Sequence, residues 1–227
     1  IGKAVAKGLA QYGATVILHG KNVKKLEALY DDIEASGYPQ PAMTPLDLGT
    51  ATELEYQQFT QAIGEEFGRL DAVIHNAGIL GDLSPIEHYE KATWDKVLQI
   101  NLTATFSLTQ ATLPLLKESK DASIVFTSSG VGRQARAYWG AYAVSKFGVE
   151  ALMQILADEL ETNTSIRCNS LNPGATRTAM RAKAFPGEDA EMLPRPEQLL
   201  PAYLYLCGAD SSKENGKAFN ARDFFTL

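Results

Sequence analysis

The stretch from Ser123 to Lys146 reads SIVFTSSGVGRQARAYWGAYAVSK, and it indicates the fold class of this chain. An apolar, β-branched run is followed by a serine pair, a glycine-containing loop and a segment typical of a helix. Buried strands of parallel sheets have this composition, and each is connected to the next strand through a helix that covers the sheet. The stretch therefore predicts one strand–loop–helix unit of an α/β protein.

The same stretch brings three reactive side chains towards one place. Tyr142 and Lys146 are four residues apart, so on a helix they lie on one face, one turn apart. Ser129 precedes Tyr142 by thirteen residues and stands where the strand would end. A phenol, an ammonium group and a hydroxyl would then meet at the carboxyl edge of a sheet. These groups together are suited to proton transfer.

Outward from this stretch, apolar runs alternate with amphipathic segments along the whole chain. The alternation predicts a parallel sheet that is covered by helices on both faces. The predicted strands are 14–19, 42–48, 70–75, 123–127, 165–171 and a last one near 218–220, and the predicted helices are 1–10, 23–35, 53–67, 93–116, 140–161 and 196–207.

Composition excludes several classes of protein. At 227 residues with 45% hydrophobic residues, the chain is long enough for one sizeable core. The net charge of −6 argues against a general nucleic-acid surface. No run of 18 apolar residues occurs, so no membrane span is predicted. Cys168 and Cys207 stand in no metal-ligand spacing, and we interpret them as buried thiols in a reducing, cytoplasmic compartment.

Short motifs in a fixed order resemble the short-chain dehydrogenase/reductase family. They are Asn76-Ala77-Gly78 after one predicted strand, Asn101 within QINLTATF, the Ser129–Tyr142–Lys146 spacing, and NPGATRT at 172–178 after another strand. The stretches LGD at 80–82, 128–147 and 172–189 are most similar to the bacterial YciK-type members. The resemblance implies a Rossmann-type, doubly wound parallel sheet and a single domain over residues 1–227.

For function, the resemblance implies an NAD(P)(H)-dependent oxidoreductase that interconverts a carbonyl and an alcohol. Tyr142 would be the general acid and base, and Lys146 would favour its phenolate and hold the nicotinamide ribose. Ser129 would donate a hydrogen bond to the substrate oxygen, whereas its neighbour Ser128 lacks the family spacing. Asn101 falls inside a predicted helix, where asparagine is unfavourable, and would complete a proton relay.

The cofactor would lie along the carboxyl ends of the strands. Asp47 would lie near the adenine, although a simple turn aspartate explains it too. Ile1-Gly2 looks like the end of a glycine-rich turn, so we expect a strand and the rest of that turn upstream. The implied cofactor-binding residues are Gly2, Gly20, Lys21, Asp47, Leu48, Asn76, Ala77, Gly78, Tyr142, Lys146, Pro173, Gly174, Thr176 and Thr178.

The residues that follow the predicted strand 14–19, which is the second strand in the family's order, favour NADP(H) over NAD(H) as the cofactor. Gly20 stands where NAD-dependent enzymes of this fold carry an acidic residue that binds the ribose 2′-hydroxyl. Lys21 follows as a cation that can meet a 2′-phosphate. The alternative is that Lys21 is one more solvated lysine, because Lys24 and Lys25 show that the region is rich in them.

Other predictions concern the substrate, the assembly and the alternatives. Residues 179–195 are interpreted as a substrate lid, with a plain surface loop as the alternative. His75 is interpreted as structural, and no metal site is predicted.

We expect a small carbonyl or alcohol substrate and a homodimer or homotetramer that pairs the helices at 93–117 and 140–161. The alternatives are a non-catalytic nucleotide-binding or scaffold protein, and an acid–base isomerase or lyase.

Overall fold

Six parallel strands carry the fold in the computed structural model, which describes residues 1–225. They form a two-stranded sheet, β1–β2, and a four-stranded sheet in the order β3-β4-β5-β6. The predicted parallel α/β architecture is therefore confirmed, although the first three strands are shorter than predicted. The strands are β1 Ile17–Gly20, β2 Ala42–Pro45, β3 Ala72–His75, β4 Ala122–Thr127, β5 Ile166–Asn172 and β6 Ala218–Asn220.

Helices connect and cover the strands. Three helix ends agree with the sequence signals, because Asn22 accepts a hydrogen bond from the Lys25 amide, Thr52 and Glu55 form a capping box, and Gly68 ends a helix at φ 72°. The helices are α1 Gly2–Gln11, α2 Val23–Ala35, α3 Glu53–Phe67, α4 Lys91–Leu98, α5 Ala104–Lys117, α6 Gly140–Glu161, α7 Ala179–Ala184 and α8 Leu200–Cys207.

Both faces of the four-stranded sheet are buried. Along β4, Ile124 and Phe126 pack into a core that α5 and α6 cover, whereas Val125 packs into a core that α1 and α8 cover. Successive side chains of a strand point to opposite faces, so this alternation places helices on both sides of the sheet. His75 is buried, lies 2.8 Å from the Thr109 hydroxyl and stacks on Phe126, which agrees with a structural role.

The two sheets are separate within residues 1–225, because β1 and β3 are not hydrogen bonded to each other. Leu26, Leu29 and Ile33 of α2 cover the smaller sheet. α1 joins the two cores, since Ala10 packs with α2 and Val5 packs with α8. The expectation of a further strand upstream stays a prediction.

The segment from 179 to 195 is more ordered than its sequence predicts. It contains α7 and a 3₁₀ turn at Ala190–Met192, and two ion pairs hold it, Arg177–Glu191 and Arg181–Glu188. The last predicted helix begins with a 3₁₀ turn at Pro196–Leu199 before α8. Within the described residues no helix is long and apolar enough to cross a membrane, and no cluster of metal-ligand side chains occurs.

The two cysteines differ in exposure. Cys168 is buried, as predicted, whereas Cys207 is partly exposed at the end of α8. That part of the interpretation was wrong, because the short final helix leaves its last residue near the surface. Burial of both thiols nevertheless raises the pKa of each to about 12, so neither is a reactive thiolate at neutral pH.

Candidate active site

A cavity of about 140 Å³ lies at the carboxyl ends of β3, β4 and β5. This edge of a parallel sheet is where ligands bind in doubly wound folds. The structure brings together nine of the predicted site residues in the cavity lining: Asn76, Gly78, Ser129, Tyr142, Lys146, Pro173, Gly174, Thr176 and Thr178.

Ser129 and Tyr142 reach the cavity from the two ends of the loop between β4 and α6. Ser129 is extended, with φ −160° and ψ 156°, and a 3₁₀ turn at Gly130–Gly132 follows it. Tyr142 lies in the first turn of α6 and is only 8% exposed. Burial raises the pKa of Tyr142, and the Ser129 hydroxyl acts in the opposite direction.

Lys146 is a buried ammonium group beside Tyr142. Its Nζ donates a hydrogen bond to the Thr127 carbonyl at 2.7 Å and lies 5.9 Å from the centroid of the Tyr142 ring. Burial lowers the pKa of Lys146 to about 8, while Glu150 one turn further along α6 acts to raise it. The sequence predicts that Lys146, together with an oxidised nicotinamide, favours the phenolate; in this structure burial raises the pKa of Tyr142, and the group that acts against burial is Ser129.

Asn101 lies in a π-helical turn, Gln99–Thr103, that joins α4 to α5. Such turns are frequent at functional sites. Its side chain accepts a hydrogen bond from the Ile79 amide (2.8 Å) and donates to the Ile79 carbonyl (2.9 Å) and to the Ser145 hydroxyl (3.1 Å). Asn101 therefore ties the chain after β3 to α6. It lies behind the cavity wall, and its predicted part in a proton relay stays a prediction.

Three of the predicted cofactor-binding residues are glycines that pack closely on neighbouring side chains. A Cβ on Gly2 would stand 2.7 Å from the Asn76 Nδ2, so the start of α1 and the end of β3 are in close contact. A Cβ on Gly78 would stand 3.8 Å from the Lys146 Nζ. Gly174 has φ +69°, which favours glycine. Gly2 thus allows two segments of the protein to pack closely at the cavity edge, whereas Ala77, between Asn76 and Gly78, is exposed and lies outside the cavity.

A second group of predicted residues lies at the ends of β1 and β2. Lys21 Nζ is 3.6 Å from Asp47 Oδ2, and Asp47 Oδ1 accepts the Gly49 amide at 2.9 Å, a hydrogen bond that lowers the pKa of Asp47. A Cβ on Gly20 would meet only Leu26, at 3.6 Å. Asp47 thus holds a turn and also pairs with Lys21. The Asp47 carboxylate therefore partly compensates the positive charge of Lys21, on which the NADP(H) prediction rests.

Leu48, another predicted cofactor-binding residue, lies beside Asp47 in this second group. Its carbonyl accepts a hydrogen bond from Gln99 Nε2 at 3.3 Å, in the π-helical turn that also carries Asn101. Leu48, Gly20, Lys21 and Asp47 stand outside the catalytic cavity. They follow two neighbouring parallel strands, so they would contact the far half of an extended dinucleotide.

Sequence reasoning missed several residues of the cavity wall. Ser128 lines the cavity, and its buried Oγ has no hydrogen-bond partner within residues 1–225. The serine pair was a visible signal, but family spacing selected Ser129 alone. Met180, Arg181 and Ala184 also line the cavity, and they belong to the segment 179–195 that the sequence predicts to be a substrate lid. The lining residues without a sequence signal are Ile1, Leu80, Thr127 and Trp139, which tertiary folding brings together.

Arg133 also was not predicted, and it organises the surroundings of the site. Its guanidinium donates to Glu150 (2.9 Å), to the Phe219 carbonyl (2.9 Å), to Ser170 (3.1 Å) and to Asn220 Oδ1 (3.0 Å). We call these five residues the Arg133 network. It joins the loop that carries Ser129 to α6, β5 and β6.

Comparison with known proteins agrees with this geometry. The family model described as short chain dehydrogenase matches residues 1–189. The oxidoreductase YciK of Escherichia coli strain K12 is 50% identical over 222 residues, which are 98% of this chain and 87% of that protein. A short chain dehydrogenase from Shigella flexneri 2a, solved in complex with NADP, is 50% identical with a TM-score of 0.95, over 97% of this chain and 92% of that one. A short chain dehydrogenase from Escherichia coli CFT073, solved in complex with NADPH, is 50% identical with a TM-score of 0.94, over 97% and 91%.

Proposed function

We infer that this chain, which belongs to the short chain dehydrogenase family, is an NADP(H)-dependent oxidoreductase that interconverts a carbonyl and an alcohol. One observation carries the proposal. Ser129, Tyr142 and Lys146 line a single cavity at the carboxyl edge of the sheet, together with Gly78 and Gly174. The NADP and NADPH complexes of two relatives support the choice of cofactor.

The residues have separate tasks in this reaction. A bound nicotinamide would supply or accept the hydride. Tyr142 would protonate the substrate oxygen during reduction and take the proton back during oxidation. The Ser129 hydroxyl would donate a hydrogen bond to the same oxygen, where negative charge develops. Lys146, with its pKa lowered to about 8, would pass a proton to Tyr142 near neutral pH.

The remaining predicted residues would hold the cofactor. Gly2, Asn76 and Gly78 would face its phosphates and ribose, with Ala77 in the same turn. Gly20, Lys21, Asp47 and Leu48 would face the adenosine half. The segment after β5 would contact the nicotinamide half through Pro173, Gly174, Thr176 and Thr178, while Tyr142 and Lys146 would also contact the nicotinamide ribose.

The first experiment follows NADPH oxidation with a panel of carbonyl compounds, comparing wild type with Tyr142→Phe. We expect turnover to fall about 100-fold or more, because the variant lacks the acid, while NADPH affinity stays within about threefold. Tyr138→Phe is the matched control, since it removes the same hydroxyl from an exposed ring four residues away.

Two outcomes would contradict this assignment. Tyr142→Phe retaining more than about a tenth of wild-type turnover would remove Tyr142 from the chemistry. NADPH binding without hydride transfer to any compound would favour the non-catalytic nucleotide-binding or scaffold alternative. Turnover without a net change in the reduced cofactor would favour the isomerase or lyase alternative.

A further inference from the structure

The part of the cavity wall that faces away from the strand ends is apolar. Leu80, Met180 and Ala184 line it, and they pack in one cluster with Tyr142 and Trp139. The Trp139 ring centroid lies 5.8 Å from that of Tyr142 and 5.9 Å from that of Phe185. A half-buried indole thus bridges the catalytic helix and the segment after β5. A flat apolar group beside the reacting carbonyl would contact this surface.

The backbone holds Trp139 in a fixed orientation. Tyr138, just before it, has φ 73° and is the one non-glycine residue with positive φ in the described part of the chain. Its carbonyl accepts a hydrogen bond from the Ser84 amide at 3.1 Å. Gly140, just after, packs so closely on the Tyr89 ring that a Cβ would stand 2.7 Å from it. Strain of this kind persists only where the surroundings fix it, and it is common at ligand-binding positions.

The Arg181 charge on this wall is paired with a carboxylate of the protein, whereas the Lys146 ammonium is hydrogen bonded to a neutral carbonyl. Arg181 and Lys146 contribute the charged side chains among the cavity-lining residues that the structure describes. The Arg181 guanidinium donates to both carboxylate oxygens of Glu188, at 2.6 and 2.7 Å, and lies over the Phe185 ring at 3.7 Å. This bidentate pair compensates the guanidinium charge and uses two of its five N–H donors. Lys146 is hydrogen bonded to Thr127 at the reacting end of the cavity.

We propose that Arg181 and Glu188 form a specificity-determining pair that keeps the substrate wall neutral. The substrate class is then an uncharged carbonyl compound with a flat, apolar body that packs on Trp139. This inference rests on the proposed function. An anionic substrate would have to displace Glu188 from Arg181 or lie beside its carboxylate, and like charges at close range disfavour binding.

The test uses two ketones of nearly the same shape, methyl 4-acetylbenzoate, which is neutral, and 4-acetylbenzoate, which is anionic. With NADPH, wild type should show a kcat/KM at least about tenfold higher for the neutral ketone. Glu188→Gln leaves the Arg181 charge uncompensated, so kcat/KM for the anionic ketone should rise at least about fivefold. Glu191→Gln is the matched control, because it removes the same carboxylate from Arg177, which lies outside the catalytic cavity.

The aromatic surface is tested with Trp139→Ala and the conservative Trp139→Phe. The alanine variant should lose at least about tenfold in kcat/KM for the neutral ketone, chiefly through KM, and the phenylalanine variant should recover most of it. An unchanged kcat/KM for the neutral ketone in Trp139→Ala, an equal response of both ketones to Glu188→Gln, or an effect of Glu191→Gln as large as that of Glu188→Gln would overturn the proposal.

A binding measurement separates this inference from the proposed function. Calorimetric titration of each ketone, with and without NADP⁺, should show the same preference for the neutral compound and the same change in Glu188→Gln. Absence of hydride transfer together with this preference would refute the proposed function alone. Equal binding of the two ketones, preference for the anion, or no binding of either up to its solubility limit would refute the substrate class.

Discussion

Lys146 shows how burial sets the charge of a single residue. Its pKa falls from an ordinary value of 10.5 to about 8 because its ammonium group is buried, with Glu150 acting against the shift. Below pH 8 both the folded and the unfolded protein carry this proton. Between pH 8 and 10.5 the unfolded chain holds it while the folded protein releases it, so stability rises with pH over that window.

We therefore expect the free energy of unfolding of wild type to rise relative to that of Lys146→Met between pH 8 and 10.5. The gain would be at most about 3 kcal/mol. Urea unfolding of both proteins at several pH values measures this gain. Subtracting the variant's free energy of unfolding from that of wild type removes the contributions of the other titrating groups. Parallel pH profiles for the two proteins would mean that Lys146 titrates normally in the folded state.

Substitution of the single residue Gly20 tests the predicted preference for NADP(H) over NAD(H). Wild type should bind NADPH at least about tenfold more tightly than NADH, because a charge-assisted contact is worth about 1.5–3 kcal/mol. Gly20→Asp should erase or reverse this preference, since a carboxylate there would accept the ribose 2′-hydroxyl and repel a 2′-phosphate. Fluorescence titration with both nucleotides measures it.

Lys21 and Lys24 separate a phosphate contact from a merely lysine-rich surface. Lys21→Gln should reduce the NADPH preference, whereas Lys24→Gln should leave it unchanged. The Lys21–Asp47 pair of the structure makes the effect of Lys21→Gln smaller than that of an unpaired lysine. Tighter binding of NADH than of NADPH by wild type would show that the argument from Gly20 and Lys21 is wrong.

At the scale of elements, the loop between β4 and α6 is held by two neighbouring residues. A Cβ on Gly132 would stand 2.7 Å from the Lys146 Cβ and 2.9 Å from its carbonyl carbon, so the loop packs directly on the backbone of α6. Arg133 then joins this contact to β5 and β6 through its network. Asn220 continues the chain of hydrogen bonds to Asn172, whose Oδ1 accepts the Gly174 amide. Ser129 and the segment after β5 are thereby linked.

Arg133→Met should lower turnover at least about tenfold while the protein stays folded, because the loop carrying Ser129 loses its attachment to α6. Arg167→Met is the matched control. Like Arg133, Arg167 is paired with a carboxylate, that of Asp121, and with a carbonyl, that of Gly208, but it is more deeply buried and lies at the opposite end of the strands. Turnover and thermal unfolding are measured for both variants.

The two arginine variants should lose similar stability, since each leaves a carboxylate and a carbonyl without their donor. Amide hydrogen exchange should increase over 129–133 and 172–174 in Arg133→Met and stay unchanged there in Arg167→Met. A folded Arg133→Met protein with wild-type turnover, or an equal loss of turnover in Arg167→Met, would assign Arg133 to general stability.

For the whole molecule, four of the twelve exposed large hydrophobic side chains within residues 1–225 lie on α5 and α6. Phe106 on α5 and Val144, Phe147 and Ile155 on α6 are all largely exposed. Exposed apolar patches mark interaction surfaces, and a two-fold contact uses the same patch on both subunits. The prediction of a dimer or tetramer through these helices therefore has a physical basis in the structure.

Light scattering at micromolar concentration should give a mass at least twice that of the chain. Phe147→Asp should dissociate the assembly, because a carboxylate would be buried in an apolar contact. Tyr12→Asp is the control, since Tyr12 is an exposed aromatic residue at the end of α1. A monomeric wild type, or dissociation by both variants alike, would contradict this interface.

The sequence by itself determined much of the local structure and which side chains are the candidate reacting groups. The capping signals at Asn22 and Thr52 placed two helix starts correctly, because they act between residues three apart. The apolar run at 123–127 predicted a strand buried on both faces. The Tyr142 and Lys146 spacing fixed their common helix face, since the period of a helix is a local property.

Only the tertiary structure decided what surrounds those groups. The Lys146 and Tyr142 pKa shifts depend on burial by distant segments, so the expected effect of Lys146 on the phenol could not be checked from spacing. The π-helical turn at Asn101 and the Arg133 network join residues from 17 to 87 positions apart in the chain. Such contacts leave no periodic pattern, because side chains that meet through folding need no fixed separation in sequence.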